Sequence, residues 1–380
     1  MALFGQHGQH GQHGQHGQHG QHGQHAGAAG TDSPLSAAAL TLSAEGIMGQ
    51  WSGTALAPLP AAGAGDWAAF QRLQGDARLA VLAHEFASLL RVDKTGGGEI
   101  RLLANGLPFL TLTPPDITDL ERQLPHVRNA ADLRAERLNE IFLQMGETLM
   151  FFGSQYRMHP ATHRWTYLLL NAAYQTVLVP EMRAKFFTSL PRPIDFSPQV
   201  QPIIQTPAHS TWPSGHATEV FMSASVIAML QLAARGDPAG GGASTDPVGD
   251  LITMLTGTAA TAPQMIPFRL AARIADNRTV AGVHFPVDSA SGAFLGLASA
   301  IAFAAACDPV VRTPAERARA AFKFDAGAWT KPFTLDLWLA DLRGGSLLSA
   351  TSPATDVEFP ATDLNSIPVK LWEAAVAEWA

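Results

Sequence analysis

Residues 209–230 read HSTWPSGHATEVFMSASVIAML. Val220, Phe221, Ala224, Ile227 and Leu230 recur at helical spacing, which predicts a long apolar helix after His216 and puts Ser214, Gly215 and His216 at its first turn. The first turn of a helix has backbone N–H groups with no partner inside the helix and carries the positive end of the helix dipole, so an oxyanion is stabilised there. Gly215 lets the backbone come close to such an anion, and Ser214 adds a hydroxyl donor. A helix this apolar must be covered by other elements. Strand signals are sparse along the chain, so the expected class is mainly α, built as packed helical bundles.

Two further stretches supply what an oxyanion site lacks. KFFTSLPRP, residues 185–193, carries Lys185 and Arg192, and NRTVAGVHFPVD, residues 277–288, carries Arg278, His284 and Asp288. Lys185, Arg192 and Arg278 would bring three positive charges, enough to balance a tetrahedral or trigonal oxyanion with two or three negative ones, so phosphate or vanadate is the natural guest. Asp288 lies one helical turn after His284 and can orient the imidazole through one ring nitrogen, leaving the other as nucleophile or ligand. His216 can exchange protons with an oxygen of the guest.

Taken in order, Lys185 to Pro193, Pro213 to His216 and Arg278 to Asp288 resemble the K-x(6)-RP, PSGH and SR-x(5)-H-x(3)-D pattern of the vanadium-dependent haloperoxidases and type 2 acid phosphatases. The likeness spans about residues 185–290 and departs at Asn277, where the pattern has serine. It implies a helical-bundle core in which Lys185, Arg192, Ser214, Gly215 and Arg278 hold the anion's oxygens, with His284 behind the central atom. In a haloperoxidase, His284 would coordinate the vanadium of vanadate and His216 would take a proton from hydrogen peroxide, so that a halide is oxidised to hypohalous acid for delivery to a small organic acceptor. In a phosphatase, His284 would attack phosphorus to form a phosphohistidine and His216 would protonate the leaving alcohol. His209, seven residues before His216, gives an HxxxPSGH spacing that looks like the bromoperoxidases. The resulting expectation is a vanadate-dependent haloperoxidase using bromide or iodide, with phosphate-monoester hydrolysis as the alternative. A purely binding role, a phosphate pocket beside a metal-chelating histidine tract, would leave His216 and His284 without a purpose.

The remaining residues set the frame. The chain has 380 residues and 47% hydrophobic side chains, enough for a sizeable core. A net charge of −7 with scattered Lys and Arg argues against nucleic acid as a partner. The single Cys307 excludes an internal disulfide framework, and MALFGQHGQH has neither a basic nor an apolar signal region, which together favour the cytoplasm. SGAFLGLASAIAFAAAC, residues 291–307, is short for a membrane span and rich in Ala and Gly, so it is expected to be a core helix, with no membrane partner. Oligomeric state is open, a homo-oligomer included.

Four regions are expected: 1–31, a disordered tract holding seven Gly-Gln-His copies; 32–150, an N-terminal helical region; 151–310, the catalytic bundle; and 311–380, helices and loops packed on the core. KTGGGE at 94–99 reads as a break, 105–116 as a short strand and Pro-driven turn, and 236–249 as a surface loop. Leu133, Leu138, Ile141, Phe142 and Met145 predict an amphipathic helix to about residue 150, and Pro160 predicts the first turn of the next. His159 and His163 would be an i, i+4 pair on that helix without a third ligand, and Asp276 a helix-end or supporting residue.

Overall fold

A computed structural model describes residues 34–48, 65–104, 106–235, 242–257, 265–307, 321–348 and 366–380. The Gly-Gln-His tract and residues 236–241 of the expected surface loop lie outside the described residues.

The mainly helical class is borne out. Helices α1 (Pro34–Met48), α2 (Asp66–Arg72) and α3 (Gly75–Glu85) lead into strands β1 (Leu90–Lys94), β2 (Ile100–Ala104) and β3 (Leu107–Thr113). Then come α4 (Ile117–Glu121), α5 (Leu124–Ala130), α6 (Arg134–Leu143), α7 (Leu149–Tyr156), α8 (Arg164–Thr188), α9 (Pro193–Phe196), α10 (Gly215–Arg235), α11 (Pro247–Thr256), α12 (Ile266–Val280) and α13 (Pro286–Cys307). The C-terminal part adds β4 (Ala321–Asp325), α14 (Leu335–Asp341), β5 (Leu347–Leu348) and α15 (Ile367–Ala377).

The helix beginning at PSGH is the axis of the molecule. α10 lies against α13, α12, α8 and α11, and Val220, Phe221, Ala224, Ile227 and Leu230 are all buried. Each such side chain removed from water contributes roughly 1.5–3 kcal/mol for the larger apolar types. α13 can approach α10 closely because Gly292 and Gly296, one turn apart, face it. A Cβ on Gly292 would come within 2.5 Å of the Ser214 carbonyl oxygen, and one on Gly296 would strike that of Thr218. By length and composition α10 and α13 could each cross a membrane, yet 83% and 94% of their apolar windows are buried inside the fold, as in core helices.

The sheet is what patterning underestimates. β1, β2 and β3 form an antiparallel meander whose first turn is the expected break at 94–99, and β3 falls within the expected strand at 105–116. β4, more than two hundred residues later, then pairs parallel to β3 in the register Leu110↔Phe322 and Leu112↔Phe324. The sheet covers α13: the Phe324 ring stacks on Phe294 at 4.8 Å between centroids. The region expected to be helical therefore contributes three strands, and the tail contributes an edge of the same sheet.

Two helix bounds also differ from expectation. α6 stops at Leu143 and is followed by the buried Gln144; Ile141 is buried, while Leu138 and Phe142 stay exposed. The next long helix starts at Arg164, not at Pro160, so His159 and His163 sit in the preceding turn and are not stacked on one helix face. The His163 ring packs edge-on against Trp379 instead. The start of α8 is closed by Glu378, whose carboxylate accepts from the Trp165 and Thr166 amides at 2.9 and 2.8 Å.

Candidate functional site

The three motifs meet at the N-terminus of α10. Lys185 occupies the last turn of α8, since that helix runs through Pro180 to Thr188, and Arg192 is the residue before α9. Ser214 immediately precedes α10, with Gly215 and His216 as its first two residues. Arg278 lies in the last turn of α12 and His284 just before α13. The Ser214 amide donates to the Asp288 carbonyl at 3.0 Å, which ties the second motif to the third.

His284 is fixed from both sides. Its Nδ1 lies 2.9 Å from Asp288 Oδ2, and its Nε2 lies 3.0 Å from Arg192 Nη1. A carboxylate accepts and a guanidinium donates, so the neutral ring carries its proton on Nδ1 and its lone pair on Nε2. Burial, with Arg192 and Lys185 nearby, holds the His284 pKa well below its ordinary value, which favours this neutral form. Asp288 also accepts from Thr211 Oγ1 at 2.5 Å and from the Phe285 amide at 2.9 Å. Burial pushes its carboxyl up to about 6 against the pull of those bonds. Asp288 is thus the hub that orients His284, as its sequence spacing suggested, and Thr211 is a partner the motifs did not reveal.

The three cations are all buried but differently compensated. Lys185 Nζ donates to the Pro213 and Ser210 carbonyls and lies 3.9 Å from Glu181 Oε1. Burial brings its pKa down to about 8, partly offset by Glu181. Arg192 donates to the Val283 carbonyl at 2.8 Å and to the His209 carbonyl at 3.1 Å, and Asp288 and Glu181 offset its burial. Arg278 has no carboxylate partner among the described residues: its Nη2 donates to the Ile141 carbonyl and to Gln144 Oε1, while Nε and Nη1 are buried with no hydrogen-bond acceptor. Burial alone lowers its pKa to about 10. A buried charge left without a counter-ion costs several kcal/mol, so this corner of the site favours an anion.

His209 joins the cluster through Arg192, whose Nη2 lies 3.2 Å from His209 Nδ1. His216 turns its Nε2 to the main-chain oxygen of Gln144 at 3.0 Å. A carbonyl only accepts, so His216 carries a proton on Nε2. The residues predicted for the site are therefore brought together, and Asp276, expected as a helix-end or supporting residue, lies near the end of α12. That residue pairs with Arg137 at 2.8 Å and lines a separate cavity of ≈ 550 Å³ between α12 and α14. Asn277, the departure from the motif, donates to Glu140 and Gln144 at 3.1 and 2.9 Å and so clasps α12 to α6.

Residues 164–309 match the PAP2 superfamily. The match begins at the first residue of α8, ends just past α13 and contains every residue named in the three motifs. It supports placing this segment in the phosphatase and haloperoxidase superfamily, whose members are enzymes of both kinds. No curated protein matches the chain. Besides Thr211, two participants lie beyond the three motifs. Glu181 stands one helical turn before Lys185, a spacing readable in EMRAK, whereas Gln144 falls outside the matched residues and no spacing announces it.

Proposed function

We propose that the protein is a vanadate-dependent haloperoxidase that uses hydrogen peroxide to oxidise bromide or iodide to hypohalous acid, which halogenates a small organic acceptor. The observation that carries this reading is His284: buried, oriented by Asp288 through Nδ1, and turning its Nε2 lone pair to Arg192 with Lys185 nearby. The donor set suits vanadate. Lys185, Arg192, Arg278, the Ser214 hydroxyl and the Gly215 amide would hold its oxygens, and His284 Nε2 would bind its vanadium, with Arg192 Nη1 moving off that nitrogen toward the anion. Arg278, with two buried donor atoms lacking acceptors, has the most to gain from such a guest.

When bound, vanadate supplies a Lewis-acidic centre that activates peroxide toward the halide. The chain's own groups then manage charge and protons. With Nε2–H held on the Gln144 carbonyl, the neutral His216 ring carries its basic lone pair on Nδ1, which would be the atom to take a proton from hydrogen peroxide. The cations offset negative charge on the anion, and their burial strengthens each interaction relative to water. His209, beside Arg192, adds a hydrogen-bonding imidazole at the rim of the cluster and favours the haloperoxidase branch.

The oriented Nε2 lone pair also favours a second reading, hydrolysis of phosphate monoesters. There His284 Nε2 would form a bond to phosphorus as the ester P–O bond breaks, a protonated His216 would give its proton to the leaving alkoxide, and water would release phosphate from the phosphohistidine.

The deciding experiment compares bromination of a phenolic dye by the vanadate-loaded protein with hydrolysis of p-nitrophenyl phosphate by the vanadate-free protein. Vanadate-dependent bromination that is lost in His284→Ala and strongly reduced in His209→Ala supports the first reading. Fast phosphate release that vanadate merely inhibits, without bromination, establishes the second.

A further inference from the structure

Gln144, the first residue after α6, is fully buried and lies outside the PAP2 match, yet it touches two members of the site. Its main-chain oxygen faces His216 Nε2 at 3.0 Å, and its side-chain Oε1 accepts from Arg278 Nη2 at 3.1 Å and from Asn277 Nδ2 at 2.9 Å. The chemistry of the side chain matters. An amide oxygen aims a guanidinium without cancelling its charge, whereas a carboxylate of the same length would do both.

The surroundings preserve that distinction. Glu140, one turn earlier on α6, directs its carboxylate to Arg273 at 2.6 and 2.8 Å and to Asn277, not to Arg278. Lys185 has Glu181 and Arg192 has Asp288 to offset them, but Arg278 meets only neutral acceptors. Gln144 Nε2, like Arg278 Nε and Nη1, is a buried donor without an acceptor, so this corner holds more donors than the described residues can satisfy.

We infer that Gln144 is a further positioning residue of the oxyanion site, which aims Arg278 at the anion while leaving the guanidinium charge uncancelled. The inference rests on the oxyanion reading and holds whether the anion is vanadate or phosphate. It makes the segment before α8 a working part of the site.

The test is isothermal titration of the full chain at pH 7 with inorganic phosphate and with orthovanadate, for wild type, Q144E and Q144M, alongside thermal midpoints. Q144E keeps Arg278 anchored through an ion pair, so a merely structural role would leave anion affinity intact. The expected result is at least a tenfold loss of affinity for both anions in Q144E with the thermal midpoint preserved, and a loss of at least threefold in Q144M. Should Q144E not fold, Q144M decides alone. Wild-type affinity in the variants would overturn the inference while leaving the oxyanion reading standing. A wild-type protein that binds neither anion would overturn both.

Discussion

A Cβ on Gly215 would lie 2.5 Å from Oε1 of Glu181 and 3.0 Å from its Cδ. Glycine at this position thus makes room for a buried carboxylate. Gly215→Ala is expected to cost about 1–3 kcal/mol of stability, as overpacking does, and to weaken anion binding. Because the clash is with one side chain, Glu181→Ala should relieve part of it. Urea unfolding of both single variants and the double variant should give a coupling energy above about 0.5 kcal/mol; strict additivity would sink the idea.

Burial pushes the Glu181 carboxyl up to about 7, with Lys185 and Arg192 pulling the other way. The folded protein therefore holds this proton more tightly than the unfolded chain does. The associated stability is complete below about 4.5, the ordinary value, and is lost as pH rises through about 7. Glu181→Gln removes the titration. The stability of the wild type relative to this variant should fall by about 1–3 kcal/mol between pH 4.5 and 7.5, read by denaturant unfolding at each pH. A constant difference would mean that Glu181 stays ionised beside Lys185.

Asp288 Oδ2 receives Thr211, the Phe285 amide and His284 Nδ1. Asp288→Asn keeps the shape but offers an amide where three donors converge. Turnover should fall about 10- to 100-fold, the usual consequence of losing an orienting carboxylate behind a histidine ligand or nucleophile. Steady-state assays under either functional reading check this; unchanged kcat would show that His284 needs no such orientation.

Asn277→Ser installs the residue found in the family pattern and removes the bonds to Glu140, Gln144 and Arg137. The α6–α12 clasp should loosen by about 1–2 kcal/mol. Phosphate affinity should drop several-fold with it, because Gln144 loses a neighbour. A serine variant that matches wild type in both measurements would contradict the clasp.

The grouping of the candidate-site residues was legible because they lie in short runs whose spacing reflects local geometry. Asp288 follows His284 by one turn, and Ser214 and Gly215 mark a helix start before an apolar face. Glu181 was readable in principle, one turn before Lys185, but a carboxylate at that spacing is as often a surface ion pair, and only its burial reveals its part. Gln144 and Thr211 left no trace: each reaches the site through tertiary packing, and neither has a periodic relation to the residue it contacts. The same cause hid the sheet. β4 finds its partner through Phe322 and Phe324 lying over α13, a pairing between segments more than two hundred residues apart that no local pattern encodes.

That distant pairing bears on the order of assembly. The ribosome releases β1 to β3 and the helices through α13 before β4 exists, and Glu378, which closes the start of α8, follows later still. Helices with local contacts form early, whereas joining ends so far apart carries a loop-closure cost that is repaid only on completion. Weakening the β3–β4 seam, for example with Phe324→Ala, should therefore accelerate unfolding far more than it slows folding. Until the C-terminal segment docks, β3 presents a bare edge, so a nascent or truncated chain would be the form most in need of chaperone protection.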